Sequence, residues 1–137
     1  ENGQLSSEEN YSDKSQKDGE QIRYFENGQI NSKTTYESGD KNGEFIDYLN
    51  KEGDMSQTGS YLKDKKHGYW KHYNSKGKLY QEGEYLKNNK SGLWKTYGYS
   101  EKDNQQFLKQ KIMFENGRTK ERIVYNSKGE EIRRNSY

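Results

Sequence analysis

The sequence contains no cysteine and no proline among its 137 residues. The lack of cysteine excludes disulfides, thiolate chemistry and cysteine-based zinc sites. The lack of proline leaves every residue with a backbone N–H for strand pairing. Hydrophobic residues are also scarce at 26% of the chain, and no apolar run approaches the length of a membrane span. We therefore expect no thick central core and no transmembrane helix.

Charge of one sign is not in excess either. The chain has 24 basic and 22 acidic residues, a net charge of +2, which gives no strong field for nucleic acid or an anionic membrane. We expect no nucleic-acid partner. The sequence itself contains no signal peptide and begins at Glu1 rather than Met. The localisation therefore stays open: the protein is cytoplasmic, or exported if a leader was removed upstream of Glu1.

Aromatic residues are plentiful, with 13 Tyr, 4 Phe and 2 Trp. Because aromatic side chains bury large areas each, they can replace the missing aliphatic residues. The composition therefore favours an ordered single layer, held by aromatic stacking and backbone pairing.

The chain repeats itself at intervals of 24 to 25 residues. Glycines recur at positions 19, 43, 68 and 92, and the opening Glu1-Asn-Gly-Gln-Leu5 returns as Glu26-Asn-Gly-Gln-Ile30. Such a period indicates a repeat architecture. We divide the chain into a half unit at 1–18, units at 19–42, 43–67, 68–91 and 92–119 (the last with an insertion in 98–109), and a degenerate unit at 120–137. The half unit suggests that the natural chain extends further N-terminally.

Each unit reads as two short strands joined by a turn. In the third complete unit, Tyr69–Tyr73 has a strand pattern, Asn74–Gly77 has turn chemistry, and Leu79–Tyr85 is the returning strand. No helical periodicity is sustained. The pattern predicts an all-β fold of tandem β-hairpin repeats.

Aromatic residues recur at fixed positions of the unit. Gly59 and Gly83 lie two residues before Tyr61 and Tyr85, on the same strand face. A glycine there allows a neighbouring ring to lie flat over the backbone. We expect the rings to stack from unit to unit in three recurring positions: Phe45, Trp70, Trp94; Tyr24, Tyr48, Tyr73, Tyr97; and Tyr11, Tyr36, Tyr61, Tyr85, Phe114.

The unit Gly68-Tyr-Trp-Lys-His-Tyr73, followed by Lys76-Gly-Lys-Leu79, Gly83-Glu-Tyr85 and Ser91-Gly92, resembles the bacterial MORN-repeat-variant family, the YwqK-type antitoxin repeat proteins. The resemblance implies an elongated, open, twisted antiparallel sheet of consecutive hairpins. It also implies an antitoxin or immunity role, or a scaffold role as in other MORN proteins. This chain departs from the pattern at Gln21, in the position of the tryptophan, and at Lys120, in the position of a glycine.

The two histidines do not indicate catalysis. His67 shares its position with turn-forming residues, and His72 shares its position with Arg23, Asp47 and Thr96, which predicts an exposed polar side chain. Acidic residues are scattered rather than paired in apolar surroundings, as acid–base catalysis requires. We therefore expect no catalytic residue, no metal site and no cofactor.

We expect a non-catalytic protein-binding module, with an envelope- or membrane-associated scaffold as the alternative. Rings can form a thin core or serve as exposed anchors.

Lysines in the turns (Lys63, Lys65, Lys66, Lys87, Lys90) can prevent sheet aggregation or contact anionic lipid, the weaker candidate partner. The insertion, with Leu108, is the best local candidate for a specific contact. The candidate binding surface comprises Phe45, Tyr48, Trp70, Tyr73, Trp94, Tyr97, Tyr99 and Phe107.

Overall fold

A computed structural model describes residues 6–137, so the opening motif at 1–5 used in the repeat analysis lies outside the described residues. The described chain is all strand and turn, and it has no helix that could cross a membrane. The strands are β1 (Ser7–Glu8), β2 (Gly19–Tyr24), β3 (Ile30–Glu37), β4 (Asp40–Tyr48), β5 (Met55–Leu62), β6 (Lys65–Lys66), β7 (Gly68–Tyr73), β8 (Leu79–Leu86), β9 (Asn89–Tyr99), β10 (Gln106–Glu115), β11 (Arg118–Tyr125) and β12 (Glu131–Ser136).

All twelve strands belong to one open antiparallel sheet in which neighbours in sequence are neighbours in space. Only β6 lies off the main path: it pairs with β5, and β7 continues its line after His67. Eleven strands side by side span about 48 Å at the usual spacing of neighbouring strands. The predicted all-β fold of hairpins in an elongated open sheet is confirmed. The division into units stays a prediction.

Two-residue turns connect one repeat to the next. Both central residues of each turn have positive φ, as a type I′ turn requires, and this geometry matches the twist of the flanking strands. Two of these turns contain no glycine, so lysine, aspartate and asparagine occupy the left-handed region. The four turns are Ser38-Gly39, Lys63-Asp64, Lys87-Asn88 and Asn116-Gly117.

The repeating glycine marks a bulge in the strand that follows each of the first three of these turns. Gly43, Gly68 and Gly92 all have positive φ, between 64° and 120°. In β9 the register with β8 shifts by two residues around Gly92, between the pairs Glu84–Ser91 and Glu82–Lys95. Lys120 holds the corresponding position in β11, and there the register shifts by one residue only. The glycine therefore allows a left-handed backbone that re-aims the tryptophan.

Consecutive repeats are also joined through their turns. The N–H of Asp64 donates to the carbonyl of Lys41, and the N–H of Asn88 donates to the carbonyl of Lys66, each at 2.9 Å. In return, the side-chain oxygens of Asp64 and Asn88 accept the N–H groups of the same two lysines, at 2.8 and 2.7 Å. Each of these two turns thus docks on the preceding repeat through a pair of hydrogen bonds.

The predicted insertion lengthens a hairpin. β9 and β10 contain 11 and 10 residues, longer than the other strands, and the loop between them spans 100–105. The N–H of Ser100 donates to the carbonyl of Gln105, and the N–H of Asn104 donates to the carbonyl of Ser100. The extra residues therefore form ordered strand ends and a closed loop.

Candidate binding surface

One face of the sheet, here called the aromatic face, carries a continuous row of rings. Trp70 stacks on Phe45 with ring centroids 5.7 Å apart, and its edge contacts Tyr61 at 5.2 Å. Trp94 contacts Tyr85 edge-on at 5.0 Å. These stacked and edge-to-face arrangements are the favourable ones for aromatic pairs.

The two tryptophans are core residues rather than exposed anchors. Trp70 is 0% exposed and Trp94 is 1% exposed. Their indole N–H groups donate to the carbonyls of Ser60 and Glu84, at 3.0 and 2.9 Å. Of the two interpretations of the rings, the structure favours the thin core for this pair.

Glycines make room for both indoles. A Cβ built at Gly59 would lie 2.2 Å from Cδ2 of Trp70, and one built at Gly83 would lie 2.4 Å from Cδ2 of Trp94. No side chain fits at either position without displacing the ring. The expectation that a ring lies flat over a bare backbone is confirmed.

Lysine side chains cover the rings at equivalent positions of successive repeats. The ammonium of Lys66 lies 4.3 Å from the centroid of Trp70, and that of Lys90 lies 4.2 Å from the centroid of Trp94. Lys41 lies 5.0 Å from the ring of Tyr61. At these distances cation–π attraction holds each ammonium over its ring. We call these three residues the lysine ladder.

The interpretation of the turn lysines as one group needs correction. Lys63, Lys65 and Lys87 are exposed at the turns, but Lys66 and Lys90 are half-buried on the aromatic face. Burial lowers the pKa of both half-buried lysines, and the charge of Lys66 lowers the pKa of Lys90 further. The alternation of side chains along a strand separates Lys65 from Lys66.

A polar row runs beside the rings, and it contains His72. The prediction that His72 is exposed is wrong, because its ring stacks between Trp70 and Trp94 at 6.1 Å from each. Burial, followed by the charges of Lys66 and Lys90, lowers the pKa of His72 to about 4. The imidazole is therefore neutral near pH 7. The row follows the strand pairing across β4 to β10: Asp47, Gln57, His72, Gln81, Thr96 and Gln110.

The structure brings together only part of the predicted surface. Phe45, Trp70 and Trp94 belong to the one aromatic row, whereas Tyr48 and Tyr73 are half-buried at the ends of β4 and β7. Their role in binding stays a prediction.

The other predicted residues lie on the long hairpin. Tyr97 donates to the carboxylate of Glu82, and burial with this hydrogen bond raises its pKa. Tyr99 donates to the carbonyl of Leu79 at 2.6 Å, and Phe107 lies over Gly98. All three are held by contacts within the sheet, so their role in binding also stays a prediction.

The opposite face, here called the reverse face, exposes apolar side chains that the sequence prediction missed. Each is the chain neighbour of a residue on the aromatic face, as Leu93 is of Trp94 and Leu86 is of Tyr85. Their exposed fractions range from 39% to 54%. We call them the apolar row, and they come one from each of five strands that are consecutive in the sheet: Leu62 of β5, Tyr69 of β7, Leu86 of β8, Leu93 of β9 and Met113 of β10.

A shallow hollow of about 200 Å³ lies where Gln21 takes the position of a tryptophan. Gln21 is buried, and its amide exchanges hydrogen bonds with the backbone of Asn10 at 2.7 and 3.1 Å. Tyr36 and Phe45 also line the hollow. A glutamine is smaller than an indole, so the space beside these rings stays open.

Comparison with known families gives a match in two parts of this sheet. Residues 17–38 and 66–87 each match the MORN repeat variant. Both MORN segments begin at or beside a lysine that covers a ring, Lys17 and Lys66, and both end within a type I′ turn. The predicted resemblance to the MORN repeat variant is confirmed for these two segments, and the bacterial YwqK-type assignment stays a prediction. MORN repeats form a non-catalytic module generally thought to mediate protein or membrane binding. No curated protein matches the chain.

Proposed function

We propose that this chain is a non-catalytic protein-binding module that contacts its partner through the apolar row. The observation that carries the proposal is one large exposed apolar side chain on each of five consecutive strands. Contiguous exposed apolar patches with polar surroundings mark interaction sites on soluble proteins. Tyr69 is the strongest anchor candidate, because tyrosine is enriched among residues that dominate binding energy.

A photo-crosslinking amino acid placed at position 86 tests the contact directly. We expect the full chain to crosslink to a defined protein from the source organism when the probe replaces Leu86. The matched control replaces Ile132, which is exposed but lies outside the apolar row. Equal crosslinking from both positions, or none from position 86, contradicts the proposal.

Within this function we propose an antitoxin or immunity role, supported by the resemblance to YwqK-type proteins. The partner is then a toxic protein encoded beside this chain. We expect co-expression of the chain to relieve growth inhibition by that protein, and the variant Tyr69→Ser/Leu86→Ser/Leu93→Ser to lose the relief while remaining folded. Full relief by the triple variant would exclude the apolar row as the neutralising surface.

A membrane-associated scaffold is the second candidate, favoured by the composition of two turns. Leu62 and Leu86 are exposed directly beside the exposed lysines Lys63 and Lys87, an arrangement suited to an anionic membrane surface. Vesicles of 30% phosphatidylserine should then sediment the chain at low salt and release it at high salt, because salt screens exposed charges. Absence of sedimentation at low salt removes this candidate.

A further inference from the structure

The lysine ladder has a regular spacing across the sheet. Lys41, Lys66 and Lys90 pair with Tyr36, Tyr61 and Tyr85 in equivalent positions of successive hairpins. Two strand spacings therefore separate each lysine from the next, a distance of about 9.6 Å. The rings fix the side chains in place, so little conformational freedom remains to be lost when an anion binds.

The charges of the ladder are not neutralised within the sheet. Lys17, the equivalent lysine of the first repeat, forms an ion pair with Glu9 at 3.3 Å. Across residues 6–137, the other ion pairs involve Lys33, Lys120 and Arg134, and none involves a ladder lysine. Lys90 donates a hydrogen bond to the side-chain oxygen of Gln81 at 3.3 Å, but within residues 6–137 no carboxylate pairs with a ladder ammonium. The three charges can therefore bind an external carboxylate. Asp47 shares this face but belongs to the neighbouring polar row, and its partly buried carboxyl has a raised pKa because of burial.

One backbone conformation matches this spacing closely. A polyproline II helix rises about 3.1 Å per residue with three residues per turn, so every third side chain points the same way about 9.3 Å apart. In a β-strand, side chains on one face are only about 6.7 Å apart. Aromatic-lined surfaces are also the usual docking sites for proline-rich segments.

We propose that the lysine ladder binds an extended protein segment in the polyproline II conformation that carries an acidic residue at every third position. Three carboxylates then bind Lys41, Lys66 and Lys90, and the residues between them lie against the half-buried rings of Tyr61 and Tyr85. This surface is on the opposite side of the sheet from the apolar row. The proposal rests on the proposed function only in that both partners are proteins. The two surfaces can be tested separately.

Two synthetic peptides of identical composition test the spacing. The first repeats Glu-Pro-Pro three times, and the second places its three glutamates in one block before the prolines. Fluorescence anisotropy with the full wild-type chain should show roughly tenfold weaker binding of the block peptide, because its carboxylates cannot reach three lysines together. Equal affinities, or no binding of the first peptide, overturn the proposal. Binding to anionic vesicles without binding to the first peptide also overturns it.

Two charge-matched variants test the site. Lys66→Met/Lys90→Met removes two ladder charges and keeps the stems that cover the rings, whereas Lys65→Met/Lys87→Met removes two exposed turn charges. We expect the ladder variant to bind the first peptide at least roughly tenfold more weakly and the turn variant to change affinity by less than about twofold. Equal losses would mean non-specific attraction and overturn the proposal.

The triple variant of the apolar row should bind this peptide normally, which distinguishes failure of the ladder proposal from failure of the proposed function. Because the comparison of the two peptides uses the wild-type chain, it tests the proposal even if a variant fails to fold.

Discussion

The indole of Trp94 lies flat on the backbone of Gly83, the residue opposite it in the neighbouring strand. A Cβ at Gly83 would come within 2.4 Å of the ring, closer than real Cβ contacts. The same relationship joins Trp70 to Gly59. The buried indole and the glycine beneath it therefore form one packing arrangement, which recurs along the sheet.

Gly83→Ala should destabilise the protein by about 1–3 kcal/mol, because the added methyl group displaces a packed ring. Urea unfolding measures the effect. The same substitution in a Trp94→Ala background removes the clash, so we expect its cost there to fall by at least about 1 kcal/mol. Additive effects of the two substitutions would show that the contact is not what constrains Gly83.

Trp70→Ala and Trp94→Ala should each destabilise the fold by about 3–5 kcal/mol, the usual range for loss of a buried aromatic ring. The matched controls are Tyr69→Ala and Leu93→Ala, which truncate the exposed neighbours on the reverse face. We expect the controls to cost less than about 1 kcal/mol in the same unfolding experiment. Unchanged melting of the tryptophan variants would assign the rings to binding instead of the core.

The stability of the protein should fall as the pH drops from about 6.5 to about 4 because of His72. The folded state keeps this ring neutral down to its pKa of about 4, while the unfolded chain binds the proton from about pH 6.5 downward. Protons therefore favour the unfolded chain in this window, and the contribution of His72 is fully present above it. Because the ring is only half-buried, we expect a loss of about 1–2 kcal/mol after solvent screening.

His72→Gln should flatten this part of the pH profile, and His67→Gln is the matched control that removes the other histidine. The comparison is necessary because carboxyl groups with lowered pKa, such as that of Asp103, also titrate at acidic pH. Unfolding free energies at pH 4, 5, 6 and 7 provide the measurement. Parallel profiles for wild type and His72→Gln would contradict the predicted role of the ring.

Asn88→Ala should destabilise the protein by about 1–2 kcal/mol for two reasons. Asn88 occupies the left-handed region with φ of 72°, and its side chain accepts the N–H of Lys66. Asn88→Gly restores the backbone freedom but not the hydrogen bond, so its cost should be the smaller of the two. Equal unfolding free energies for the two variants would assign the whole effect to the lost hydrogen bond.

The sequence predicts the fold well because its signals are local and repeated. The turn at Asn74–Gly77, the spacing of Gly43, Gly68 and Gly92, and the glycines beneath the rings are all readable from the repeat. The repeat did not decide whether the two tryptophans are core residues or exposed anchors, and the structure places them in the core. A local pattern of this kind indicates strand, turn and packing without knowledge of distant contacts.

The candidate site is less predictable because it depends on which face each side chain meets. His72 shares its repeat position with the polar residues Arg23, Asp47 and Thr96, yet its ring is half-buried between the two tryptophans. The bulges shift the alternation of side chains between the turns and the tryptophans. The strand register is therefore needed to show that Lys66, and not Lys65, lies on the aromatic face. The apolar row could have been predicted from the sequence. Strict alternation of side chains places Tyr69 and Leu93, the chain neighbours of Trp70 and Trp94, on the opposite face.

The hydrogen bonds between each turn and the preceding lysine also determine where the sheet opens first. Asp64 and Asn88 tie neighbouring hairpins together, while the turn at Asn116-Gly117 makes no such bond to Lys90 in the part of the chain that the structure describes. The C-terminal hairpin therefore lacks this tie and is joined to the rest by strand pairing, by the ion pair of Lys120 with Glu115 and by the contact of Lys111 with the ring of Tyr125. Amide protons should consequently exchange with solvent fastest in β11 and β12 and slowest around β7 and β8. The sheet then unfolds locally from its C-terminal end.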